Sequence, residues 1–286
     1  MTAERASHTA VLVCQGRAAA HERIMPGRFA DPTALALLHD DERELVRQVR
    51  EGRPPSGWRP RIAYEIVRGS VELLVARTIA IDDAVREGPR EQVVILGAGL
   101  DGRAWRLTEL RDSDTYEVDQ PASQRDKRER AVTLGDRQPH FVPVEFGRED
   151  LAATLEAAGH RADRPTTWVW EGVVPYLTAD EVRDTLGKVA SRSGPGSRLI
   201  VNYQSGGATA LAATRAFTVL LRRASPWRNE PWRSTWTPEQ MRDLLTGHGF
   251  RVIRDDDLLT LAAALPMKLG QRGSLRSSRV AVADRS

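Results

Sequence analysis

Over the first 90 residues, apolar positions recur three and four apart around 10–22, 32–50 and 62–85, which predicts three helices with one buried face each. Pro26-Gly27 and the run Gly52-Arg53-Pro54-Pro55-Ser56-Gly57 break the pattern between them. From residue 92 the rhythm changes. Short apolar runs at 93–96, 115–119, 141–144, 166–171 and 197–203 predict strands. Helical stretches at 103–110, 121–133 and 150–158 fall between them, and Thr178-Ala179-Asp180-Glu181 spells a capping box that opens a further helix to Ala190. After an irregular stretch, Thr237-Pro238-Glu239 opens a helix to Gly247, 250–254 reads as a sixth strand, and 279–283 reads as a last strand pairing antiparallel with the sixth. Strands alternating with helices imply parallel pairing through right-handed crossovers. The expected fold is α/β, a doubly wound, mostly parallel seven-stranded sheet. A helical cap over 1–90 precedes an α/β unit over 91–286, which an insertion at 204–236 interrupts.

The run VVILGAGLDGRAWRL, 93–107, organises the rest. A buried strand that stops at Gly97-Ala98-Gly99 and gives way to a helix lets the backbone approach an anionic or nucleoside-bearing ligand closely. Gly97 to Gly102 also satisfies G-x-G-x-x-G, so a dinucleotide fold stays open at this point. Asp119 ends the second strand, where a carboxylate accepts hydrogen bonds from ribose hydroxyls; it could instead cap the helix that begins at Pro121. Glu117 lies on the same strand face, a position usually explained by pairing or exposure. Glu145, after the third strand, reads equally as an adenosine contact or a solvated loop residue. Glu171 ends an apolar strand, where a carboxylate needs a cationic partner or ligand.

Composition narrows the field. Lys and Arg total 42 against 39 Asp and Glu, and no basic block interleaves with aromatic residues, so nucleic acid is not expected as a partner. No 18-residue apolar run and no signal-peptide core are seen, and Cys14 is the single cysteine; a cytoplasmic protein without disulfides or membrane contact is expected. Cys14 sits among Val11, Leu12 and Val13 and is expected to be buried and inert. The six histidines form no metal-binding grouping, so no metal is expected. Neither a G-x-S-x-G elbow nor a G-x-x-x-x-G-K-[ST] loop occurs, which removes most of the case for a hydrolase or nucleotide triphosphatase. Trp227, Trp232 and Trp236 crowd the end of the insertion, either packing onto the sheet or lining a wall for an organic substrate.

Four segments in order, ARTIAIDDAV, LGAGLDGRAWRL, YEVDQPASQ and WVWEGVVPYLT, resemble the class I S-adenosylmethionine-dependent methyltransferases of the leucine carboxyl methyltransferase type, with their Rossmann-like sheet. The likeness is greatest to the actinobacterial branch that includes polyketide methyltransferases, and it runs from about Cys14 to Tyr203. It implies S-adenosyl-L-methionine as cofactor. Arg77 would hold the methionine carboxylate, with Arg17 as a weaker second contact. Gly97, Ala98 and Gly99 would border the cofactor, Asp119 with Gln120 would meet its ribose, Glu145 with Phe146 its adenine, and Glu171 with Gly172 its amino-acid portion. Relatives often carry Asp where Glu145 stands, and Ser where Gly102 stands. Tyr176 and Tyr203 fall near the expected acceptor position, where they either orient the acceptor or pack as rings.

The activity expected is methyl transfer to a carboxylate or hydroxyl oxygen of a small molecule, a secondary metabolite by preference. Protein or peptide carboxyl methylation is the alternative within that chemistry. A nicotinamide-dependent oxidoreductase is the rival enzyme, and a non-catalytic binder that keeps the fold is the third reading.

Overall fold

The computed structural model describes residues 7–206, 232–266 and 272–286. Most of the insertion expected at 204–236, residues 207–231 with Trp227 among them, lies outside the described residues.

Seven strands form one sheet: β1 (Gln92–Leu96), β2 (Asp114–Asp119), β3 (His140–Pro143), β4 (Thr166–Trp170), β5 (Arg198–Gln204), β6 (Phe250–Asp257) and β7 (Ser278–Arg285). Their order is β3-β2-β1-β4-β5-β7-β6. The pairs among β1 to β5 are parallel, while β7 runs antiparallel to both β5 and β6. The antiparallel pairing of the last two strands is as expected. In addition, β7 wedges between β5 and β6.

Eleven helices are described: α1 (His8–Ala20), α2 (Thr33–Ala36), α3 (Asp40–Glu51), α4 (Trp58–Glu87), α5 (Arg103–Arg106), α6 (Pro121–Arg130), α7 (Leu151–Ala157), α8 (Ala179–Ser191), α9 (Pro238–Gly247), α10 (Leu258–Ala263) and α11 (Arg272–Ser277). The single helix expected at 32–50 is two. Asp31 accepts hydrogen bonds from the Ala34 N–H and the Thr33 hydroxyl, which starts one short turn. Glu42 then reaches back to the His39 N–H at 2.8 Å and starts a new helix. Each device satisfies N–H groups that a helix start leaves unpaired, so the chain begins twice.

Both faces of the sheet are covered, as a central parallel sheet requires. On one face Val94, Leu96, Val118, Trp168 and Trp170 pack with Val182 and Leu186 of α8 and Met241 and Leu245 of α9. On the other, Val93, Ile95, Val169 and Ile200 pack against Ile81, Ala84 and Val85 from the end of α4. The earlier part of α4 belongs to a third apolar cluster, in which Val71, Val75 and Ile79 meet Cys14 and Ala18 of α1, Phe29, and Val46 of α3. One 30-residue helix therefore ties the N-terminal helices to the sheet. Cys14 is fully buried and its thiol donates to the Ala34 carbonyl at 3.2 Å. Burial pushes that thiol up to about 12, so it is the inert cysteine expected. Among the described residues, no helix is long and apolar enough to cross a membrane.

The register sets up the site. Leu96 stands opposite Val118 on one side and Trp170 on the other, so the next residues, Gly97, Asp119 and Glu171, emerge side by side at the carboxyl edge. From β1 the chain steps outward to β2 and β3, then returns to place β4 on the other flank. Open α/β sheets bind ligands at such a reversal.

Candidate functional site

Gly97 and Gly99 adopt φ of +64° and +45°, values that residues with a Cβ rarely take. Neighbours fill the space such a carbon would need. At Gly97 it would come within 2.2 Å of Val173 Cγ2, and at Gly99 within 2.9 Å of the Ala10 Cβ. The first turn of α1 thus lies directly against the glycine turn. Ala98 is buried and donates from its N–H to the Val118 carbonyl at 3.0 Å, which ties the turn to β2.

Asp119 is held by the same turn. One carboxylate oxygen accepts the Gly99 N–H at 2.6 Å and the other the Gln120 N–H at 2.7 Å. It does not cap α6, whose preceding residue is Gln120. Burial raises its pKa, and the two amide donors oppose that rise. The Ser123 hydroxyl also interacts with it; a carboxylate has about four lone-pair positions, so room remains for a ligand hydroxyl. Gln120 itself is exposed. Glu117, on the same strand face, is paired rather than exposed: Lys127 of α6 lies 2.5 Å away and both side chains are buried. Burial there pushes the Glu117 carboxyl up to about 7 despite the lysine.

Glu171, just past β4, lies between two arginines. Its Oε1 is 2.7 Å from Nε of Arg77, and its Oε2 accepts from Nη1 of Arg103 at 2.7 Å. Burial favours the neutral acid, but Arg103 and Arg77 together outweigh it and hold the carboxyl below the ordinary range. The contact with Arg77 has ion-pair distance without hydrogen-bond alignment, and Arg77 Nε and Glu171 Oε1 are both buried without a hydrogen-bond partner. A buried acid and base that leave these atoms unsatisfied suit a ligand bearing opposite charges. Gly172 follows with φ of +70° and nothing within 4 Å of where a Cβ would stand.

A cluster that the sequence reading did not foresee lies behind Glu171. Arg103 also pairs through Nε with Asp82 of α4 at 2.7 Å and through Nη1 with Asp101. Arg106 grips both oxygens of Asp82, at 2.6 and 2.9 Å, and approaches Asp31 at 3.7 Å. Arg17 completes the chain, 2.8 Å from Asp31 and donating to the Leu100 carbonyl at 2.6 Å. Arg17 is therefore engaged with Asp31 and the loop after β1. The only sequence signal for this cluster was a run of charges in otherwise apolar segments, Asp82-Asp83 late in α4 and Asp101-Gly102-Arg103 after the glycines.

Other candidates lie further off. Glu145 sits in a turn beyond β3, where it pairs with Arg148 at 2.7 Å, both side chains well exposed. The neighbouring Phe146 packs onto the core. Tyr176 belongs to a short 3-10 turn (Val174–Tyr176), with its hydroxyl 3.5 Å from Thr9 Oγ1 of α1. Tyr203 is fully buried, donates to Asp255 at 2.7 Å and accepts from Arg279 at 3.1 Å, linking β5 to β6 and β7. Burial and Asp255 both raise its pKa. Trp236 is a core residue packed with Trp168 and Trp170, and its segment docks on the turn after Glu171 through the Ser234 hydroxyl and the Val174 carbonyl at 3.0 Å. Of the two readings of the tryptophan-rich stretch, packing onto the sheet describes Trp236.

Arg77, Gly97, Ala98, Gly99, Asp119, Glu171 and Gly172 thus meet at one sheet edge, with Tyr176 on the rim. The arrangement fits a nucleoside joined to a zwitterionic amino acid. Ribose hydroxyls match Asp119, an ammonium matches Glu171, and a carboxylate matches Arg77. A dinucleotide fits less well, because its pyrophosphate would stand beside the Glu171 carboxylate, for which it has no cationic partner to offer.

A family profile described as leucine carboxyl methyltransferase matches residues 10–190. A Frankia alni protein, provisionally named an S-adenosyl-L-methionine-dependent methyltransferase, is 39% identical over 204 residues, covering 67% of this chain and 66% of its own. A Mycobacterium avium protein with the same provisional name is 38% identical over 184 residues, covering 60% of this chain and 55% of its own. The match thus spans between about half and two thirds of those two relatives. A Streptomyces coelicolor protein, again so named, is 37% identical over 263 residues, with 85% and 82% covered. Among solved structures, a Thermobifida fusca protein provisionally named a methyltransferase superposes with a TM-score of 0.55 at 15% identity, covering 99% of this chain and 96% of its own. At that identity the likeness establishes the fold alone.

Proposed function

The chain belongs to the leucine carboxyl methyltransferase family, and on that premise we propose that it uses S-adenosyl-L-methionine to methylate an oxygen, carboxylate or hydroxyl, of a small molecule, a secondary metabolite by preference. The observation that carries the reading is the buried Arg77–Glu171 pair beside the glycine turn. It offers an acid and a base to a zwitterionic tail, a match that a nicotinamide cofactor has no need of.

S-adenosyl-L-methionine, when bound, supplies a methyl group already activated by its sulfonium. The residues then have three tasks. Arg77 and Glu171 would hold the two ends of the amino-acid tail, and Asp119 the ribose. Gly97 and Gly99 let the turn approach the cofactor. The first turn of α1, packed on Gly99 and reaching Tyr176, covers this edge and limits the access of water. Alignment of a nucleophile with the transferred group can contribute roughly 7 to 11 kcal/mol in favourable cases. A carboxylate acceptor is ionised at neutral pH and needs no base. A hydroxyl needs an acceptor for its proton. Tyr176, on the rim, is the group we assign to orienting the acceptor. Tyr203, tied to Asp255 and Arg279, is better suited to bracing β5.

Incubation with methyl-labelled cofactor and a panel of carboxylic acids, phenols and peptides tests the acceptor class. Label on a small acid that mild alkali releases as methanol, or alkali-stable label on a phenol, is the expected outcome. Label on nitrogen or carbon, or on polypeptide alone, would contradict it.

A further inference from the structure

Arg103 is among the most deeply buried charged residues, with its side chain 2% exposed. Its guanidinium joins three acids from three places in the chain: Asp82 on α4, Asp101 in the loop after β1, and Glu171 after β4. Its own backbone N–H donates to Asp101 at 2.7 Å, which fixes the loop and the side chain relative to one another. Behind it, Arg106 holds Asp82 through two hydrogen bonds, so the anchor for Nε is itself clamped. A planar guanidinium anchored at Nε has little freedom left in where it directs Nη1. That nitrogen reaches Glu171 Oε2, while Oε1 faces Arg77.

The charges balance. Arg17, Arg77, Arg103 and Arg106 meet Asp31, Asp82, Asp101 and Glu171 in one connected chain of ion pairs. A ligand tail that adds one charge of each sign leaves that balance intact. A tail with a single charge would upset it in a region closed to water.

We propose that Arg103 is a positioning residue for the cofactor's amino-acid tail, aiming the Glu171 carboxylate at the ammonium from an anchor on Asp82. This rests on the methyltransferase reading and adds to it a residue that the expected cofactor contacts do not include. The role predicts a signature that general support of the fold would not give. Loss of Arg103 weakens binding of ligands that carry the tail and spares those that lack it.

The test is titration of Arg103→Met and wild type with S-adenosylhomocysteine and with 5′-methylthioadenosine, which keeps the nucleoside and lacks the amino acid. The variant should lose about 10-fold or more in affinity for the first, the effect of a charged hydrogen bond, and less than about threefold for the second. Combined with Glu171→Gln, it should lose little more than Glu171→Gln alone, because the two act as a unit. If Arg103→Met fails to fold, Arg103→Met with Asp82→Asn keeps the charges balanced and takes the same test. Wild type binding both compounds, with the variant losing both equally or neither, overturns the positioning role and leaves the cofactor reading standing. Wild type binding neither overturns both.

Discussion

Glu171→Gln is expected to weaken S-adenosylhomocysteine binding by about 100-fold, the ~3 kcal/mol typical when one partner of a buried charge pair is removed. Gln keeps the size and one acceptor but cannot neutralise an ammonium. The same change leaves Arg77 without the one acid it pairs with among the described residues, whereas Arg103 keeps Asp82 and Asp101. Stability should therefore fall as well, by roughly 3 kcal/mol, the lower end of the cost of breaking a buried pair. Circular dichroism would check that the variant folds, urea unfolding would measure the stability, and calorimetry the affinity. A folded Glu171→Gln protein with wild-type affinity would remove Glu171 from the site.

Acid should destabilise the ligand-free protein steeply below about pH 4, the ordinary carboxylate range. Asp31, Asp82, Asp101 and Glu171 are all deeply buried, which alone would raise their pKa values. In each case neighbouring arginines win: Arg106 and Arg17 at Asp31, Arg106 and Arg103 at Asp82, Arg103 and Arg17 at Asp101, and Arg103 and Arg77 at Glu171. A carboxyl whose folded value lies below its unfolded value contributes its full stability above the unfolded value, and that contribution is lost as pH falls toward the folded one. Glu117 works in the opposite sense. Raised to about 7 by burial, it favours the fold increasingly as pH drops from above 7 toward the ordinary range, then adds nothing further. His160, lowered to about 4 by burial and Arg192, works against Glu117 over the same range, so the urea midpoint should stay nearly level between pH 8 and about 5 and collapse below about 4. A midpoint that is the same at pH 3 and pH 6 would contradict the ionised cluster.

Much of the sheet edge was legible because it depends on neighbours in sequence. Four apolar residues before Gly97 predict a buried strand, and a carboxylate at the end of such a strand needs a partner, which pointed to Asp119 and Glu171. Parallel register then brings those residues level without further information. The ion cluster was not legible, because its partners come together only through folding. Arg103 and Glu171 are 68 positions apart, and Arg103 and Asp82 are 21. In a chain with 42 basic residues, nothing local distinguishes Arg103 from a surface arginine. The break between α2 and α3 escaped for a related reason: the apolar spacing continues across it, and only the side chains of Asp31 and Glu42 restart the helix. For Trp236, composition left a substrate wall and a packed ring equally open. Its burial in the same apolar cluster as Trp168 and Trp170 places it in the core.

The most direct test of the central claim is calorimetric titration of the wild-type protein with S-adenosylhomocysteine, in parallel with NADH and NADPH. Saturable one-to-one binding of S-adenosylhomocysteine, with no heat from either nicotinamide, is the predicted result. Binding of a nicotinamide in place of S-adenosylhomocysteine would contradict it and return Gly97-Ala98-Gly99 to a dinucleotide role.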